Sequence, residues 1–133
     1  MFRYAAALTI LFLMTSCKTP KAAHNETGAH DVHSYGNPDR ARVKHIGLDL
    51  EVIFDQRTIK GSAVLTIDQF TPAKQTQREI VLDTRALQID ETEVSPDGAK
   101  YTEARFDTGK SDPILGAPLH IDLAPDTKFV RVR

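Results

Sequence analysis

The sequence describes an all-β domain, built as a β-sandwich or a saddle-like curved antiparallel or mixed sheet. Three observations lead there. Apolar residues recur at every second position in several short stretches. Turn-forming residues punctuate the chain at roughly ten-residue intervals. Past the N-terminal apolar stretch, no segment carries the period of an amphipathic helix.

The elements follow in order. Gly36-Asn37-Pro38-Asp39 is turn chemistry, and the periodic sequence begins after it. Ile46, Leu48, Leu50, Val52 and Phe54 alternate with mostly polar neighbours, the pattern of a strand with one buried face. Asp55-Gln56-Arg57-Thr58 interrupts it. Ile59, Gly61, Ala63, Leu65 and Ile67 then alternate again, which predicts an antiparallel hairpin. Gly61 takes a side chain away from the apolar phase, so a bulge or a large neighbour such as Phe54 is expected there. Thr71 to Arg78 reads as a loop and Glu79 to Asp83 as a third strand. Leu87 to Ile89 resumes the alternation and is expected to run on to Val94.

Ser95-Pro96-Asp97-Gly98 is a turn, with Pro presetting one φ and Gly free to take a positive one. Tyr101 and Phe106 mark one or two further strands. Asp112-Pro113 and Ala117-Pro118 bracket a loop around Gly116. Leu119 to Leu123 and Phe129 to Arg133 give the last two strands. The hairpin from Ile46 to Ile67 is expected to be the protected centre. The residues after Gly116, with Phe129, Val130 and Val132, are expected to be poorly covered and prone to association through an open strand edge.

The chain has 133 residues, room for one domain, with a formal net charge of −1. Its Lys and Arg are dispersed, so no basic face points to nucleic acid. The single Cys excludes an internal disulfide. It stands at position 17, after Arg3, an apolar stretch from Ala5 to Met14, and the small residues Thr15 and Ser16. That order describes a secretory signal over residues 1–16. Met14-Thr15-Ser16-Cys17 resembles a bacterial lipobox, which implies acylation of Cys17 and a membrane partner through the lipid. The bland alternative is an ordinary signal cut nearby. Residues 17–35 read as a flexible tether and 36–133 as the β domain. The localisation expected is the bacterial cell envelope. Asn25-Glu26-Thr27 fits a glycosylation sequon that carries no weight in a bacterial route.

A resemblance adds to this. His33-Ser34-Tyr35-Gly36-Asn37-Pro38 and Val43 to Leu50 look like the opening of bacterial aminopeptidases of the aminopeptidase N and leukotriene hydrolase family. Phe54 to Ala63, Val81 to Ile89 and Leu115 to Ile121 continue it at natural spacing. The resemblance covers about Asp31 to Arg133. It implies a non-catalytic N-terminal β domain, incomplete at its C-terminus, that packs on a thermolysin-like catalytic domain. In that family the second domain holds zinc through His-Glu-x-x-His and a further Glu. This sequence contains neither His-Glu-x-x-His nor Gly-x-Met-Glu-Asn. No catalytic residue and no metal ligand is therefore assigned, and the only modification site is Cys17.

Other constellations are weaker. His24, His30, Asp31 and His33 are metal-capable groups in the tether, and a solvated tether explains them as well. His45 and His120 fall on outward phases of strands. Asp83 and Asp107 could be imagined as an acid–base pair, though carboxylates at strand ends are usually solvated. Two functions from different classes remain. One is a domain of an exported zinc aminopeptidase, inactive by itself, with a separate catalytic domain as partner. The other is a stand-alone lipoprotein module that binds through its sheet.

Overall fold

The computed structural model describes residues 31–70 and 77–133. The signal, Cys17, His24, His30 and most of the tether lie outside the described residues. What is described is all β. Eight strands form a five-stranded and a three-stranded sheet, and every pairing is antiparallel. The parallel component that a mixed sheet would need is not found among them.

The first hairpin forms where the alternation placed it. Strand β1 (Ala41–Ile53) begins earlier than Ile46 and pairs with β2 (Thr58–Gln69) across the turn at 54–57. Ile46 faces Leu65, Leu48 faces Ala63, Leu50 faces Gly61 and Val52 faces Ile59, so all eight lie on one side of the ribbon. A bulge falls between Val43 and His45, not at Gly61. Gly61 is required for another reason. A Cβ there would lie 2.0 Å from the carbonyl oxygen of Asp49, so the two backbones approach too closely for any side chain. Phe54, expected to cover Gly61, sits in the turn and is 84% exposed.

Strand β3 (Glu79–Thr84) pairs with β7 (Ala117–Asp122), and β7 also pairs with β6 (Phe106–Thr108), which closes the smaller sheet. The segment from Leu87 does not continue as a strand. Only β4 (Thr92–Ser95) does, because its partners begin there: β5 (Thr102–Glu103) on one side and β8 (Phe129–Val132) on the other. The larger sheet therefore runs β1-β2-β8-β4-β5.

This order overturns the expectation for the C-terminal segment. β8 is a central strand, hydrogen-bonded on both sides, with Leu65 and Val94 flanking Val130. Val130 and Ile121 are fully buried and Leu119 is 1% exposed. Together with Leu65, Ile67, Ile80, Val94 and Leu123 they form the core between the two sheets. The hairpin expected to be the protected centre is the exposed part. Past Leu65 its apolar phase has no layer over it among the described residues, and Ile46, Leu48, Leu50, Val52 and Ile59 are 53–64% exposed. Alternation reports that one face is apolar; it does not report whether a second sheet extends far enough to cover that face.

Candidate functional site

Asp83 stands next to the last residue of β3, on the side from which the chain enters the domain. Its carboxylate accepts the Ser34 hydroxyl at 2.6 Å and the Tyr35 amide at 2.8 Å. The two carboxylate bonds fasten the entering segment to the small sheet, and Ser34 Oγ in turn accepts the Gly36 amide at 3.0 Å. Beside them opens a shallow cleft of about 320 Å³ lined by Asp31, Asn37, Arg42, Ile80 and Asp83, among others. Asp83 is thus an anchor for backbone and hydroxyl, with both oxygens engaged.

Asp107 does not meet it. Asp107 lies opposite His120 on one side of β7, while Asp83 lies opposite Pro118 on the other. The acid–base pair that could be imagined from them is not assembled.

His120 has a different partner. Its Nδ1 stands 3.1 Å from the Glu79 carboxylate, whose other oxygen is 3.4 Å from Arg40 Nη1. The Glu79 side chain is 21% exposed, so this tie is shielded better than an ordinary surface pair. It joins the residue before β1 to two strands of the small sheet, β3 and β7. His45 is exposed on β1.

A second charged group crosses the polar face of the large sheet. Arg131 donates to Glu93 at 2.6 Å and its guanidinium lies 3.9 Å from the centre of the Tyr101 ring. Arg133 pairs with Glu91 and reaches Glu93 at 3.2 Å. The hydrogen bond from Arg131 holds the Glu93 carboxyl below its ordinary range, and the same bond raises Arg131. These pairs join residues about forty positions apart. No sequence spacing could have revealed them; the one available signal was that Arg131, Arg133, Glu91 and Glu93 all fall on outward phases.

Of the metal-capable tether residues, Asp31 and His33 are described. Asp31 accepts the His33 amide at 2.9 Å, and both side chains are well exposed. No group of three or more His, Cys, Asp or Glu able to hold a metal occurs among the described residues. A zinc ion of the kind the family resemblance implies has no fitting donor set among them.

A remaining exposed feature is the apolar row of the hairpin. It continues the core face outward from Leu65 and ends at Val52 and Ile59.

No family model matches the chain. Over 96 residues it is 32% identical to leucine aminopeptidase 2 of Candida albicans, an alignment covering 72% of this chain and 14% of that protein. Over 93 residues it is 30% identical to leukotriene A-4 hydrolase of Xenopus laevis, covering 70% of this chain and 14% of that protein. Its homologues are leucine aminopeptidases and leukotriene A4 hydrolases. The structure agrees: native leukotriene A4 hydrolase from Saccharomyces cerevisiae superposes with a TM-score of 0.66 at 25% identity, over 81% of this chain and 17% of that one. The resemblance read from the sequence is therefore shown. The chain spans 14% of the length of these curated relatives.

Proposed function

We propose that this chain is the non-catalytic N-terminal β domain of an exported, zinc-dependent aminopeptidase, whose catalytic residues lie outside these 133 residues. One observation carries the reading. The similarity takes in 70–72% of this chain but 14% of each peptidase. The domain would serve as a wall and brace for the catalytic domain, with turnover of peptide amino ends performed there. Export and anchoring are part of the proposal, and their support is the signal-like N-terminus and Cys17. The similarity to peptidases does not favour a stand-alone binding module.

The test is a domain exchange. In leucine aminopeptidase 2 of Candida albicans, the segment that aligns with this chain is replaced by residues 31–133. Recovery of aminoacyl-arylamide hydrolysis, compared with a deletion that loses it, supports the reading. A folded, zinc-loaded exchange protein without activity refutes it. The 133-residue chain alone should be silent on the same substrates.

A further inference from the structure

Away from the hairpin row, Val32, Leu87 and Ile114 are large apolar residues that are 66–75% exposed. They lie in three segments far apart in sequence and outside the strands. The fold brings those segments to one end of the small sheet. The entering chain is fixed there, because Ser34 and Tyr35 bond to Asp83 near the end of β3. Thr84, the last residue of β3, pairs with Ala117, the first of β7. A Cβ on Gly116 would lie 2.1 Å from the Thr84 carbonyl oxygen, so the loop bearing Ile114 is pressed against the one that leads to Leu87. Gly109 donates to the Pro118 carbonyl, which carries the chain after β6 to the same end.

Two cations, Arg85 and Lys110, are exposed at this end, and neither takes part in an ion pair among the described residues. The carboxylates nearby are engaged. Asp83 accepts from Ser34 and Tyr35, Asp112 from the amides of Ile114 and Leu115, and Asp31 from the His33 amide.

Separate apolar tips with cations beside them fit a bilayer surface. The tips enter the boundary between headgroups and acyl chains, while Arg and Lys keep their charged ends at the lipid phosphates. The course of the chain says which bilayer. Cys17 lies fourteen positions before Asp31, and the chain reaches the domain at this end. Fully extended, that length spans at most about 50 Å. An anchor at such range gives even a weak contact a high effective concentration.

We propose that this end of the small sheet rests on the bilayer that holds the lipid of Cys17. Val32, Leu87 and Ile114 enter the headgroup boundary, and Arg85 and Lys110 donate to lipid phosphates. The inference rests on the anchored reading above and adds an orientation to it.

The chain has no Trp and a single Cys, so one reporter and one anchor can be placed without interference. Ile114→Trp and Leu87→Trp are made in the full chain, with Leu48→Trp on the hairpin as control. Each is coupled through Cys17 to a maleimide lipid in vesicles of phosphatidylethanolamine and phosphatidylglycerol with brominated acyl chains. Quenching at 114 and 87 should exceed that at 48 by at least about twofold. Arg85→Glu with Lys110→Glu should bring it down to the control level. Quenching at 114 and 87 no greater than at 48 overturns the proposal, as does quenching indifferent to the charge reversal. Blue-shifted emission at 114 without lipid, together with a dimer mass, also overturns it and names a second copy as the occupant. Chemical coupling replaces acylation by the cell, so failure here is distinct from failure of the anchored reading.

Discussion

Leu50 and Gly61 face each other across the β1–β2 ribbon, and the backbone beside Leu50 leaves no room for a Cβ on Gly61. The position is therefore intolerant although it is exposed. Gly61→Ala should destabilise the domain by about 2 kcal/mol or more, since the obstruction is backbone that cannot swing away. Arg57 gives the contrast. It ends the same turn at a φ of 51°, a conformation in which any Cβ is strained. Arg57→Gly should be neutral or stabilise by up to about 1 kcal/mol. Urea midpoints of the two variants check both; a harmless Gly61→Ala would mean that the ribbon is spaced more widely.

The core and the ribbon should respond oppositely to truncation. Ile121 is fully buried between the sheets, so Ile121→Ala should cost about 2–5 kcal/mol. Leu48 is 64% exposed, and Leu48→Ala should stay within about 0.5 kcal/mol. Hydrogen exchange should follow the same division, slow at Leu65 and Val130 and faster at Leu50 and Val52. Equal protection in a monomer would show that the ribbon face is covered.

Glu93 makes stability depend on acid. Its carboxyl is held below the ordinary range first by the Arg131 hydrogen bond and also by the nearby Arg131 and Arg133 charges. A depressed folded pKa contributes stability that is fully present above the unfolded value, about 4.3 for Glu, and is lost as pH falls through the folded value. Asp97 and Asp112, lowered by amides of Ala99 and Lys100 and of Leu115 and Ile114, act in the same direction. Glu93→Gln should cost about 1–2 kcal/mol at neutral pH, the scale of one charged hydrogen bond partly screened by solvent. That deficit should shrink steadily below about pH 4, where Glu93 is itself protonated. A deficit unchanged from pH 7 to pH 3 would place the effect in packing.

Cys17 should carry lipid. Mass spectrometry of the membrane fraction should find diacylglycerol on it, and Cys17→Ala should block processing or release the protein. A mature soluble chain with a free Cys17 thiol would remove the anchor from the proposal.

The hairpin and β7 were legible because each alternates with a period of two between turn residues, β3 as a short apolar run bounded by charge, and β8 from the alternation of Val130, Arg131, Val132 and Arg133. Leu87 to Glu91 was not. Its alternation is as good as that of β7, but among the described residues only its end meets a neighbour, where Asp90 and Glu91 donate to the Arg133 carbonyl and Glu91 accepts from the Arg133 amide. Burial of the C-terminal strand was misjudged for a topological reason. Sequence order suggested that the last strand lies at an edge, and the register inserts it between β2 and β4. The same long-range register hides the Glu79–His120 and Glu93–Arg131 pairs, whose members are about forty residues apart in sequence. The lack of a zinc motif, by contrast, is a local property, and the sequence alone disclosed it.

The insertion of β8 between β2 and β4 also sets a timetable for folding. Leu65 and Val94 have no strand in common until Val130 arrives between them. During synthesis β1 and β2 can close as a hairpin at once, because their contacts are local. The larger sheet must wait until residues 129–132 have left the ribosome. Until then its two halves are separate pieces with open edges and bare apolar faces. Pairings this distant along the chain make loop closure the slow step. The nascent domain is thus most vulnerable to aggregation just before those four residues emerge.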